Sequence, residues 1–304
     1  LFLQRNMLGI QLQSTADSVT GQFYPALQDL ELITNQVVLT DSHCADWYPH
    51  PHHLVFKRQP DSLQLIVQGE FPKHCQKRDY LQLLNRPDLS RLLVQQLWQQ
   101  ISGQTRVPVL EQGATEATVL LAEHQSRALA EVLRDINKSS DNALTRQLYL
   151  ALGAQQINTP AERTADRSEL QLRSFLSRIE LDHSSLVLEN GSGLSRTERI
   201  SPELMAAVLQ YAYQAQYQPE LISSMPVAGM DGTLKRRFTE SPAKGKARLK
   251  TGTLRNVTAL AGFVTDQSGR TWVVASFINH PKASRGRVVL DSLIDWITMQ
   301  SVTN

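Results

Sequence analysis

Two short stretches carry side chains that can do chemistry together. The first is Lys250-Thr251-Gly252 in "RLKTGTLRN" (248–256), which stands in front of an apolar, strand-like run. A lysine and a threonine on adjacent positions of a strand edge offer a cation and a hydroxyl, a pair that grips a carboxylate by charge-assisted hydrogen bonds. Gly252 has no side chain, so a ligand backbone can approach the strand closely, and the backbone N–H of Thr253 can then point at a carbonyl oxygen. The same residues also fit a solvated strand start. The second stretch is Ser140-Asp141-Asn142 in "KSSDN" (138–142). A serine hydroxyl there can relay a proton, and an asparagine amide two positions on can hold a lysine and a substrate amide together. This trio also fits a helix cap, because Ser and Asp bond readily to nearby backbone.

A third group is His43, Cys44, His50, His52, His53, His74 and Cys75, all soft or borderline metal ligands. They lie in and around a polar, proline-bearing stretch bounded by the only two cysteines. A disulfide between Cys44 and Cys75 would close this loop and imply an oxidising compartment. Free cysteines or a metal site are the other readings. No C-x-x-C or H-x-x-x-H spacing is present, which speaks against fixed metal-ligand geometry.

These residues need elements to position them. The first part of the chain reads as β: "LGIQLQS" (8–14), "LELITNQVVLTD" (30–41) and "SLQLIVQGEF" (62–71) alternate and are rich in β-branched residues. "RPDLSRLLVQQLWQQISG" then predicts a helix with Pro87 near its start, Leu89, Leu92, Leu93, Trp98 and Ile101 along one face, and Gly103 past its end. From about residue 115 the texture changes. "ATVLLAEHQ" predicts a short strand, and "SRALAEVLRDINKSS" a helix capped by Ser126. "NALTRQLYLALG" predicts a helix ended by Gly153, and "RSELQLRSFLSRI" another. "SSLVLENGSGLSR" reads as a strand entering a Gly-rich turn, and "SPELMAAVLQYAYQA" as a helix with Ser201 as its cap. A hairpin follows, "VTALAGFVTD" and "RTWVVASFIN" joined by Gln267-Ser268-Gly269. "RVVLDSLIDWITMQ" closes the chain as an amphipathic helix through Val289, Leu290, Leu293, Ile294, Trp296 and Ile297. Ser140 therefore falls between two helices, and Lys250 on a strand that leads into a hairpin.

The 304 residues are enough for about two domains. A net charge of +2 leaves no electrostatic footprint for nucleic acid. No apolar run reaches the roughly 18 residues of a membrane span.

Ser-Asp-Asn followed by Lys-Thr-Gly matches, in order, the second and third motifs of serine β-lactamases and penicillin-binding proteins. With "ENGSGLSR" (189–196) and "SSMPVAGMDGTLKRR" (223–237), the chain resembles the penicillin-binding protein 4 family, the class C low-molecular-mass D-alanyl-D-alanine carboxypeptidases/endopeptidases. The likeness is good over about 120–300 and looser before it. It implies an α+β fold: a penicillin-binding-protein/β-lactamase-like domain, with an antiparallel sheet flanked by helices, over 121–304, and the remainder of a mostly β accessory domain over 1–120. It implies serine acyl transfer on peptidoglycan stem peptides, β-lactam antibiotics as ligands, and no cofactor or metal. It also implies a periplasmic site, compatible with peripheral membrane association, and a disulfide between Cys44 and Cys75. By the resemblance, Ser140 passes a proton to the leaving D-alanine and Asn142 holds the general-base lysine and the substrate amide. Lys250 supplies positive potential, Thr251 binds the terminal carboxylate beside Gly252, and the N–H of Thr253 completes an oxyanion hole. Arg196 would meet an acidic group of the stem peptide.

The family's nucleophile stands in an S-x-x-K motif ahead of Ser-Asp-Asn, and no such spacing precedes Ser140. The one match, Ser241-Pro242-Ala243-Lys244, follows it and carries a proline where a helix interior is required. It reads as a loop into the Lys-Thr-Gly strand. The resemblance thus places nucleophile and base upstream of Leu1. Two other functions fit the residues: a module of the same fold that binds stem peptides without cleaving them, and a periplasmic metal-binding protein built on the His/Cys group.

Overall fold

The computed structural model describes residues 7–27, 30–47, 53–59, 62–104, 123–155 and 163–301. The chain falls into two compact units, Leu1–Leu120 and Leu121–Asn304. Most of the strand expected from "ATVLLAEHQ", together with His50 and His52, lies outside the described residues.

In the first unit, strand β1 (Leu8–Ser14) pairs antiparallel with β2 (Val19–Tyr24) and with β6 (Gln76–Leu81). Strand β3 (Leu30–Thr40) runs parallel to β5 (Leu63–Pro72), which pairs antiparallel with β4 (Leu54–Arg58). Period-two alternation sends Leu8, Ile10 and Leu12 of β1 into a core shared with Leu65, Val67 and Phe71 of β5. Helix α1 (Arg86–Ser102) is capped by Asn85, whose side chain accepts from the Asp88 N–H at 2.9 Å, and it ends at Gly103. Its first two turns bury Leu89, Leu92 and Leu93, but Ile101 is 83% exposed and Trp98 is also at the surface. The apolar stripe expected to run the whole helix therefore packs only at its start.

In the second unit, β7 (Ala247–Leu254), β8 (Val257–Thr265) and β9 (Thr271–Asn279) form an antiparallel sheet in that order. Leu249, Leu260, Val264 and Val274 meet Leu290, Ile294 and Ile297 of helix α7 (Arg287–Thr298). Phe263 joins a separate cluster with Leu209 of α5 (Pro202–Gln214) and with Met225, which follows α6 (Gln218–Ser224). Helices α2 (Leu129–Ser139), α3 (Asn142–Ala154) and α4 (Thr164–Arg178) complete the unit.

Several local expectations are corrected here. Ser126 does not cap α2; the N-cap is Ala128, with no side-chain bond, and the Ser126 hydroxyl turns to Arg127 O. Gly153 does not end α3 but lies buried inside it against α4. "SSLVLENGSGLSR" forms no strand; its extended part keeps a single bridge, Val187 to Arg199. On α7 the buried stripe is narrower than expected, since Val289 and Trp296 face solvent. Ser201 does cap α5, accepting from the Leu204 N–H at 3.1 Å.

Candidate active site

Helix α2 ends at Ser139 and α3 begins at Asn142, so Ser140 and Asp141 form the whole turn between them. Ser140 takes the left-handed conformation, φ 56° and ψ 50°, and its N–H caps the Ile136 carbonyl. Asp141 is the N-cap of α3 and accepts from the Leu144 N–H at 2.9 Å. The cap reading and the chemical reading both apply. Asp141 does the capping, and this leaves the Ser140 side chain available.

That side chain meets Lys250. On β7, Leu249 enters the core under α7, and the next residue projects to the opposite face. Lys250 Nζ donates to Ser140 Oγ at 2.6 Å and to Thr251 O at 3.0 Å. Burial lowers the Lys250 pKa below the usual lysine value of 10.5, because removing an ammonium from water disfavours its charged form. Ser140 Oγ accepts from Lys250, so its own proton is free to be donated elsewhere.

Among the described residues, the outer edge of β7 is paired in its first half only. Ala228 N–H donates to Ala247 O at 2.9 Å and Leu249 N–H to Pro226 O at 3.0 Å. Among the described residues no backbone bridge continues this pairing beyond Leu249. The edge from Lys250 onward is thus open to an extended ligand backbone. Thr251 Oγ1 donates to Thr233 Oγ1 at 3.1 Å, which gives a second hydroxyl at the same spot. Gly252 stands opposite Ala259, and exposed Thr253 opposite Thr258.

The "ENGSGLSR" loop ties both sides of this corner. Glu198 Oε1 accepts from the backbone N–H groups of Glu189, Asn190 and Gly191 at 3.2, 3.0 and 3.0 Å, and so shapes the loop. Asn142 Nδ2 donates to Ser192 O at 2.7 Å, and Arg196 Nη1 donates to Arg255 O at 3.0 Å. The structure therefore brings Ser140, Asn142 and Arg196 into one hydrogen-bonded neighbourhood with the β7 edge.

Ser241 takes another place. It sits in a turn, and its hydroxyl bonds the Asp295 carboxylate of α7, while Lys244 N–H donates to Ser241 O at 3.1 Å. That is no helical serine–lysine pair. In the first unit Cys44 and Cys75 form a disulfide, with Cα atoms 5.4 Å apart. Both sulfurs are thereby withdrawn from thiolate ligation. Among the described residues no three His, Cys, Asp or Glu side chains gather as metal ligands, and no described helix is long and apolar enough to cross a membrane.

Sequence reasoning passed over Thr233 and the partners of Lys138. Thr233 stands in a motif used for resemblance but carries no signal of its own. Lys138 sits two residues before Ser140 and looks like any helix-end lysine.

Comparison with known proteins identifies the family and the fold. The D-Ala-D-Ala carboxypeptidase 3 (S13) family matches residues 6–299. The chain is 33% identical over 162 residues to a D-alanyl-D-alanine carboxypeptidase of Haemophilus influenzae, covering 53% of this chain and 33% of the relative. It is 33% identical over 155 residues to a D-alanyl-D-alanine carboxypeptidase of Actinomadura, covering 49% and 28%. The chain thus spans about a third of the length of the curated relatives it matches. The crystal structure of penicillin-binding protein 4 from Haemophilus influenzae superposes with a TM-score of 0.69 at 22% identity, over 96% of this chain and 70% of that one. That likeness shows the α+β fold, and the match to the family extends over nearly every residue: the chain belongs to the D-Ala-D-Ala carboxypeptidase 3 (S13) family.

Proposed function

We propose that this chain carries the second and third catalytic motifs of a serine-type D-alanyl-D-alanine carboxypeptidase/endopeptidase acting on peptidoglycan stem peptides. The observation that carries the reading is the 2.6 Å contact between Lys250 Nζ and Ser140 Oγ, two residues 110 positions apart that meet at the open edge of β7. The nucleophilic serine and its lysine base belong to an S-x-x-K segment that this sequence does not contain ahead of Ser140.

In this mechanism the stem peptide lies along the free half of β7 as an added strand. Its terminal carboxylate meets the Lys250 charge and the hydroxyls of Thr251 and Thr233, a charge-assisted arrangement. The serine oxygen attacks the penultimate D-alanine carbonyl, and the N–H of Thr253 supports the oxyanion with the nucleophile's own N–H. One such donor is worth about 3 kcal/mol of barrier. The attacking serine loses its proton to its lysine base. As the C–N bond breaks, Ser140 gives its own proton to the departing amine and takes the base's proton in its place, while Lys250 stays charged on the carboxylate. Water then hydrolyses the ester. The amide oxygen of Asn142 accepts from the base lysine and the substrate amide, with Arg196 as a contact for an acidic stem-peptide group. β-Lactams enter the same groove and stall at the acyl stage. The disulfide supports a home in an oxidising, extracytoplasmic compartment such as the periplasm.

The test is release of D-alanine from diacetyl-L-lysyl-D-alanyl-D-alanine by the full-length protein. Release that penicillin abolishes is the expected result. A full-length protein that binds the peptide and releases nothing is a recognition module, and the enzymatic reading fails.

A further inference from the structure

We propose that Lys138 and Asp231 form a positioning pair that fixes Ser140 against Lys250, with the segment from Ser224 to Leu234 acting as a clamp between α2 and β7. The inference rests on the carboxypeptidase reading and adds to it two residues that touch neither substrate nor the reacting atoms.

The clamp has one arm on each motif. Toward β7, Leu249 N–H donates to Pro226 O and Ala228 N–H to Ala247 O, so the segment runs as a short extra strand that stops one residue before Lys250. Toward α2, Lys138 Nζ donates to both Asp231 oxygens, at 2.9 and 2.7 Å, and to Met225 O at 2.5 Å. One turn of contacts is thus anchored two residues ahead of Ser140. Asp231 is held in turn, because its Oδ1 accepts from the Val227 N–H at 2.8 Å. Burial alone would raise the Asp231 pKa, but the Lys138 and Val227 hydrogen bonds and the Lys138 charge outweigh it and leave it lowered. Asp231 is therefore held as the carboxylate.

Two further contacts repeat the grip. Asn137 Nδ2 donates to Ser224 Oγ at 2.8 Å, and Ser224 is fully buried. Gly232 has φ +56°, and a Cβ there would lie 2.9 Å from Lys138 O. A side chain at that position would push the segment away from the end of α2. Thr233, next in sequence, then receives the Thr251 hydroxyl. Apart from the clamp, the Ser140–Lys250 contact is backed by the loop bonds from Asn142 to Ser192 O and from Arg196 to Arg255 O, neither of which reaches the end of α2 or the strand residues before Lys250. Displacing a reacting group by 1 Å can cost ~10²-fold in rate.

The experiment uses the full-length protein and its Asp231→Ala, Lys138→Met and Asp231→Asn variants. Covalent labelling by a fluorescent penicillin is followed over a range of concentrations, so that the maximum acylation rate separates from half-saturation. Circular dichroism confirms that each variant is folded at the assay temperature. The expected outcome is a fall of up to ~10²-fold in the maximum rate for the Ala and Met variants. Half-saturation stays within about three-fold, and Asn, which keeps an acceptor for Lys138, loses less. Folded variants that acylate at the parent rate, or a loss confined to half-saturation, overturn the proposal. A parent that penicillin does not label sinks the carboxypeptidase reading instead. In that event the Lys250 side chain, titrated by NMR, still decides the pair. Its pKa should move up toward that of an exposed lysine when Asp231 is lost, and no movement overturns the inference.

Discussion

Ser140 sits at φ 56°, where a Cβ costs roughly 1–2 kcal/mol that a glycine would not incur. Its hydroxyl is also the group bonded to Lys250. These two facts separate stability from activity at one position. Ser140→Gly is expected to stay within about 1 kcal/mol of the parent in chemical denaturation, because the relieved backbone cost offsets the lost bond to Lys250, while acylation by penicillin falls by ~10²-fold or more. Lys250 makes a pH prediction. Burial lowers its pKa, so between its folded value and 10.5 the unfolded chain binds more protons than the folded one. Through Lys250, stability therefore rises with pH across that window, while the rate falls as the positive charge is lost. Penicillin acylation of the full-length protein should lose its alkaline limb at a lower pH than an exposed lysine would give. A limb that begins no earlier than that of an exposed lysine would contradict the assignment.

At the scale of elements, the hairpin that carries β8 and β9 is pinned by Asp266, which is only 2% exposed. Its carboxylate accepts from Trp272 Nε1 at 2.8 Å and from the Ser268 hydroxyl and the Ser268 and Arg270 N–H groups. These bonds, the Trp272 bond foremost, bring its pKa from 3.8 down to about 2. A carboxylate lowered on folding stabilises above its unfolded pKa and loses that contribution as pH falls through the folded one. The parent should lose this support between about pH 4 and 2, and Asp266→Asn should flatten the acid dependence of the melting temperature in that window. The turn itself was legible, because Gln267-Ser268-Gly269 between two alternating runs announces a hairpin. So were β1 and β5, and α5 with its Ser201 cap; α7 was legible as a helix, with a narrower buried stripe than its pattern suggests. Gly153 was not. A glycine near the end of an apolar helix reads as a stop, yet here its missing side chain admits α4: a Cβ would fall 2.2 Å from Thr164 O and 2.6 Å from Ser168 Oγ. Gly153→Ala should therefore destabilise the unit, although alanine gains about 1 kcal/mol of helix propensity, and thermal melting measures the sign. The difference is tertiary contact, which no local pattern encodes. The same holds for Ile101, which follows the stripe of α1 but outruns the core.

At the scale of the molecule, the site was legible as two motifs and illegible as a geometry. The order Ser-Asp-Asn, then Lys-Thr-Gly, could be read from the chain. The contact between Lys250 and Ser140 needs the sheet, α2 and the segment that links them, and Thr233 joins the site only through that folding. The disulfide makes a whole-chain prediction as well. Cys44 and Cys75 close a loop at a separation of 31 residues, a constraint worth about 3–4 kcal/mol by loop entropy. Reduction should lower the stability of the first unit by that order, seen as a shift in its denaturation midpoint under dithiothreitol. The central claim, that the Ser140–Lys250 corner serves serine acyl transfer, is tested most directly by intact mass spectrometry of the full-length protein after exposure to penicillin. The account predicts a single added penicilloyl mass on the parent that accumulates ~10²-fold more slowly on Ser140→Ala. A parent that gains no mass, or a variant that gains it at the parent rate, would contradict it.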